Sequence, residues 1–126
     1  MKFSAFIISL ITIISCTKNY QFGEVRVGEI FIPDSVKVND QVKILVKAEA
    51  TNGCWDIVHV EFMEKDVFEY SIQAFGKFTG CKNCDCNDEM VYKDFEIDFQ
   101  PKKDGIYFFH IKKSLNKIDV DSIIVY

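Results

Sequence analysis

The chain has 126 residues, a formal charge of −4 and 48% apolar residues. That length supports one modest core and excludes two large domains. The mild acidity argues against nucleic acid as a partner and against electrostatic adhesion to anionic lipid.

The chain opens on an uncharged stretch from Phe3 to Thr17, fifteen residues between Lys2 and Lys18. A membrane span needs about 20 apolar residues; a basic start, a shorter apolar middle and small residues after it fit a secretory signal. The stretch closes on Ile13-Ile14-Ser15-Cys16, which resembles the lipobox of bacterial lipoproteins. The resemblance implies cleavage before Cys16, a diacylglycerol thioether on Cys16, and export to a membrane held by that lipid. Acyl chains contribute about 0.8 kcal/mol per buried CH₂, so several of them make a stable anchor. Thr17, where an aspartate would resemble an inner-membrane retention signal, points to the outer membrane over the inner. The expected division is a signal peptide over 1–15, the lipidated cysteine and a tether over 16–23, and one domain over 24–126. Cleavage removes Lys2 and no acidic residue, so the formal charge falls to −5.

Beyond the tether no window keeps a helical period, and apolar residues recur at every second position. The first strand begins at Val25 and Val27 and runs on to Ile32. The segment Pro33–Asp40 is a connection. Val42, Ile44, Val46 and Ala48 alternate with Lys43, Leu45, Lys47 and Glu49, a strand with one buried face. Asn52-Gly53 marks a turn. Val58, Val60 and Phe62 predict a third strand, with His59 and Glu61 facing away. Phe68, Tyr70, Ile72 and Ala74 predict a fourth. After a cysteine-rich loop, Phe95, Ile97 and Phe99 predict a fifth; Tyr107, Phe109 and Ile111 a sixth; and Lys117 to Tyr126 the last. Seven short strands joined by regular turns predict an all-β domain, a seven-stranded antiparallel β-sandwich.

Asp104-Gly105-Ile106-Tyr107 is similar to the corner of immunoglobulin-like domains, in which a tyrosine opening the sixth strand hydrogen-bonds back across the turn. Phe109 stands two residues later, where antibody domains place a core cysteine. The resemblance is therefore to the wider Ig-like family over residues 24–126. It implies that the Cys54 turn and the cysteine loop, as the second-to-third and fourth-to-fifth connections, share one end of the sandwich. It also implies that the third and sixth strands are neighbours and that the N-terminus enters at the cysteine end.

The cysteines decide between chemistry and structure. In an oxidising compartment thiols pair, and apart from Cys16 the chain has Cys54, Cys81, Cys84 and Cys86. Cys84 and Cys86 are separated by one residue, and in extended chain their side chains point to opposite faces. Two connectivities remain: Cys54–Cys84 with Cys81–Cys86, and Cys54–Cys86 with Cys81–Cys84. Either closes a loop of about 30 residues, worth roughly 3 kcal/mol. The competing chemistry is a four-sulfur Zn²⁺ site or a redox Cys81-x-x-Cys84; the latter lacks the strand-then-helix context that activates such a thiol. Asp85, Asn87, Asp88 and Glu89 read as a solvated loop, with no glycine where an EF-hand requires one.

The chain has two histidines, His59 and His110. Both alternate out of their strands, and on neighbouring strands they would share an exposed face, at most a weak metal or ligand patch. Trp55 is expected to pack on the disulfide beside it. Asp34-Ser35-Val36 and Asp121-Ser122-Ile123 resemble acceptor triplets of a bacterial O-glycosylation system, though turn and strand roles account for both. Hydrolase, metalloprotease, phosphate-loop and dinucleotide motifs do not occur. The reading is a non-catalytic, lipid-anchored envelope module with no cofactor, docking an envelope protein or a glycan. The alternative is a metal-handling protein that uses the four cysteines or His59 and His110.

Overall fold

The computed structural model describes residues 21–80, 84–114 and 116–126. The expected signal peptide, Cys16, Cys81 and Lys82 lie outside them. The described residues are all-β, with eight strands: β1 (Gln21–Phe31), β2 (Ser35–Val36), β3 (Val42–Ala50), β4 (Trp55–Asp66), β5 (Glu69–Phe78), β6 (Val91–Phe99), β7 (Gly105–Ser114) and β8 (Lys117–Val125). They form one curled mixed sheet in the order β2-β8-β7-β5-β1-β3-β6, with β4 on β5.

Two strands produce the curl. The first half of β1 pairs with β5, from Gln21↔Phe78 to Val25↔Ala74. Its second half pairs with β3, from Arg26↔Glu49 to Phe31↔Leu45, with a bulge between Val27 and Glu29. β1 thus changes partners between Val25 and Arg26, and the bulge at Gly28 bends it and sharpens its twist just beyond that point. A Cβ at Gly28 would stand 2.6 Å from the Glu49 carboxylate. β5 is shared in the same way. Its start pairs with β7, its end with β1, and its opposite edge with β4 along nearly its whole length.

The core follows the alternation. Val42, Ile44, Val46, Ala48, Ile72, Ala74, Tyr107, Phe109 and Ile111 are buried, and no polar or charged side chain is buried with them among the described residues. Burying such side chains contributes about 1.5–3 kcal/mol each. Phe62, Tyr70, Phe99, Tyr107 and Phe109 pack ring against ring; centroids are 5.0 Å apart for Phe62–Tyr70 and 5.5 Å for Phe99–Phe109. Burial, with the Glu64 charge second, raises the Tyr70 phenol above its ordinary value.

The expected corner is present. Tyr107 Oη donates to the Lys103 carbonyl at 2.8 Å. Gly105 takes φ +143°, and a Cβ there would meet Phe68 at 2.8 Å.

Five expectations need correction. There are eight strands, not seven, because Ser35–Val36 adds a two-residue strand too short to leave a period in the sequence. The pairing is not wholly antiparallel: β5–β7 and β2–β8 are parallel. The β4–β5 hairpin places β5, not β4, beside β7, and the third and sixth expected strands are therefore not neighbours. Val58 is exposed, because the register slips between Ile57 and His59 and puts Ile57 in the core. Finally, Gln21–Gly23 is strand and not tether.

Candidate binding surface

At one end of the sheet the turn after β3 meets the loop after β5. Asn52 Oδ1 accepts the Cys54 amide at 3.0 Å, which shapes the turn. Gly53 N donates to Asn87 O at 2.8 Å, and a Cβ at Gly53 would press on the Asn87 side chain at 2.9 Å. Thr79 donates to the Cys54 carbonyl through both its amide, at 2.8 Å, and its hydroxyl, at 2.9 Å. Across this junction runs a disulfide between Cys54 and Cys86, Cα atoms 5.3 Å apart. It is the Cys54 bond of one of the two expected connectivities, whose second bond involves Cys81, outside the described residues. Its 32-residue separation stabilises the domain by roughly 3–4 kcal/mol in the chain-entropy account. Cys84 is also disulfide-bonded. Sulfurs bound in this way are not thiolate ligands, and among the described residues no group of three or more His, Cys, Asp or Glu could hold a metal ion.

Trp55 adjoins the bridged Cys54 in sequence and packs onto the strand backbone. Its indole lies over Gly23 and Gly76, a cross-strand pair, at 3.2 and 3.1 Å from where their Cβ atoms would be, and 5.2 Å from the Phe78 ring.

The two histidines face outward from the same layer, as expected, but they do not meet. His59 stands opposite Phe75, against which its ring stacks at 5.1 Å. His110 stands opposite Ser71. Ser71 and Phe75 are about 13 Å apart along β5, and crossing from β4 to β7 adds two strand spacings of about 4.8 Å. One metal ion cannot bridge that gap.

The surface that the sequence concealed is the outer face of β7 and β8. Ile106 stands opposite Ile124, Phe108 opposite Ser122, His110 opposite Val120 and Lys112 opposite Ile118. Ile106, Phe108, Ile118, Val120 and Ile124 are all exposed, Ile118 by 62% and Val120 by 57%. Glu69 borders the patch at Phe108 and Ser71 at His110. A contiguous apolar patch with a polar rim is uncommon on a free monomer and marks an interaction site. The sequence carried a signal for it: in β7 and β8 apolar residues occupy both phases of the alternation. On the other layer, Phe31 and Leu45 are also exposed, but the ion pairs Lys43–Glu96 and Lys47–Glu29 lie across that face.

Beside the patch, β2 covers β8 only at Ile124 and Val125, so residues 117–123 form an open edge among the described residues. Lys117, Asp119 and Asp121 occupy it. Charges on an edge strand oppose strand addition.

No family model matches the chain, no curated protein matches it and no solved structure matches it.

Proposed function

We propose that the chain is an exported lipoprotein, anchored in the outer membrane through Cys16, whose Ig-like domain is a non-catalytic module that docks another envelope protein on the outer face of β7 and β8. The observation that carries the docking reading is the exposed cluster of Ile106, Phe108, Ile118, Val120 and Ile124. Its residues form neighbouring cross-strand positions on one face and present apolar area suited to the core of a protein interface. In this reading the partner is a different envelope protein, seated on the face and not on the β8 edge, where Lys117, Asp119 and Asp121 oppose strand addition.

The disulfide supports export, since such bonds persist in oxidising compartments. The Tyr107–Lys103 bond and the antiparallel β1-β3-β6 layer support the Ig-like kinship; the two parallel pairings set this domain apart within it.

Two experiments test the proposal. Cys16→Ser should release the domain from the membrane fraction; retention with an uncleaved leader overturns the anchor. A photo-crosslinking residue in place of Val120 in intact cells should give one discrete heterologous adduct, abolished by Ile118→Lys, while the same residue in place of Lys43 gives none. A domain–domain adduct, or none from position 120, overturns the docking reading.

A further inference from the structure

Where β1 leaves β5 for β3, it also parts from β7, which pairs with β5 only as far as Ile72↔Ile111. Two lysines bridge the gap. Lys112 Nζ lies 2.8 Å from the Glu24 carboxylate, and Lys113 Nζ donates to the Gly28 carbonyl at 3.1 Å. Beside Lys112 the separation leaves a cleft of about 290 Å³, at the small end of the range of ligand sites, about 300–1,000 Å³. Its walls carry two ion pairs, Glu24–Lys112 and Arg26–Glu49, the second with Nε 2.7 Å from Oε1. Half-buried Trp55 contributes an aromatic surface, and Asn116 of the β7–β8 hairpin contributes an amide.

We infer that this cleft is a binding site for a neutral saccharide of one or two rings. Three observations define the ligand. The four charged groups cancel in pairs, so the site offers an ion no net charge, and an ionic ligand would have to break a contact of 2.7 or 2.8 Å. Each paired group retains hydrogen-bonding capacity: a carboxylate has about four lone-pair sites, an ammonium three donors and a guanidinium five. The cleft thus presents fixed donors and acceptors together, as ring hydroxyls require. Trp55 supplies the apolar surface on which the C–H face of a sugar ring rests; Gly23 and Gly76, lacking side chains, allow the indole to lie close against the backbone. The cleft meets the margin of the β7–β8 face at Lys112 but contains none of that face's exposed apolar residues.

Trp55 is the sole tryptophan, so its fluorescence reports on the cleft directly. The mature domain with its disulfides intact is titrated with cellobiose, N,N′-diacetylchitobiose and inorganic phosphate. At least one disaccharide should produce a saturable change in the millimolar range that persists in high salt, whereas phosphate should produce none. Arg26→Ala should weaken the response about tenfold or more. Asn116→Ala, which removes a cleft amide without touching either ion pair, should weaken it several-fold while the thermal midpoint is unchanged. The inference fails if neither disaccharide saturates, if phosphate saturates in a salt-sensitive manner, or if both variants bind as the parent does.

Discussion

Gln21, the first residue of β1, pairs with Phe78, the last residue of β5, and Phe78 pairs on its other side with Trp55, the neighbour of the bridged Cys54. The domain is therefore entered at its disulfide end. Asn39 N, donating to Pro101 O at 2.8 Å, and Val38 N, donating to Tyr126 O at 2.8 Å, close the opposite end. Cys16 and Gln21 are five residues apart, a reach of at most about 18 Å. A lipid on Cys16 would hold the disulfide end towards the membrane.

Phe22 and Phe31 test that orientation. They are similarly exposed, 69% and 63%, near opposite ends of β1, separated by up to about 30 Å. Hydroxyl-radical footprinting of vesicles with the domain on their accessible side should protect Phe22 relative to the soluble domain and leave Phe31 unchanged. Equal labelling of the two would show that the anchor does not orient the domain.

Non-reducing peptide mapping should recover Cys54 linked to Cys86 and, as the remaining pair, Cys81 linked to Cys84. Replacing Cys54 and Cys86 together with alanine should lower stability by about 2–4 kcal/mol, read as a lower urea midpoint. A free Cys54 thiol, or four thiolates on Zn²⁺, would contradict the pairing.

At the corner, Tyr107→Phe removes the hydrogen bond to Lys103 and should cost about 0.5–1.5 kcal/mol. Gly105→Ala should cost more, about 1–3 kcal/mol, since its Cβ meets Phe68 and φ stays at +143°. Chemical denaturation of both variants gives the order. If Gly105→Ala is neutral, the corner is not constrained as described.

Tyr70 gives the domain an alkaline limit. Its phenol is raised above the ordinary 10.0, by burial first and then by Glu64 and Tyr107. Between the unfolded and folded values the native state holds the proton more tightly, so the stability this residue contributes is intact below about pH 10 and lost as pH rises through the folded value. Thermal melts from pH 8 upward should show a steeper alkaline decline for the parent than for Tyr70→Phe. Parallel declines would mean that Tyr70 titrates alike in both states.

The sequence by itself determined the all-β class, the inward face of β3, β5 and β7 and the Tyr107 corner, and it narrowed the disulfides to two patterns without choosing between them. Each of these is a local matter. A strand's period of two states which side chains turn inward, a glycine before a tyrosine sets a corner, and a single residue between Cys84 and Cys86 disfavours their pairing. Which strands become neighbours was decided only in the tertiary structure. Alternation fixes a face and says nothing about the edge. The β1 bulge at Gly28, the parallel seating of β5 on β7 and the two-residue β2 all depend on long-range hydrogen bonds that no window of sequence contains. The same holds for function. His59 and His110 share a phase in the sequence and are kept apart by β5. Ile118 and Val120 join Ile106 and Phe108 in one exposed patch only because β7 and β8 pair in that register. Glu24, Arg26 and Lys112 line one cleft only because β1 changes partners between Val25 and Arg26.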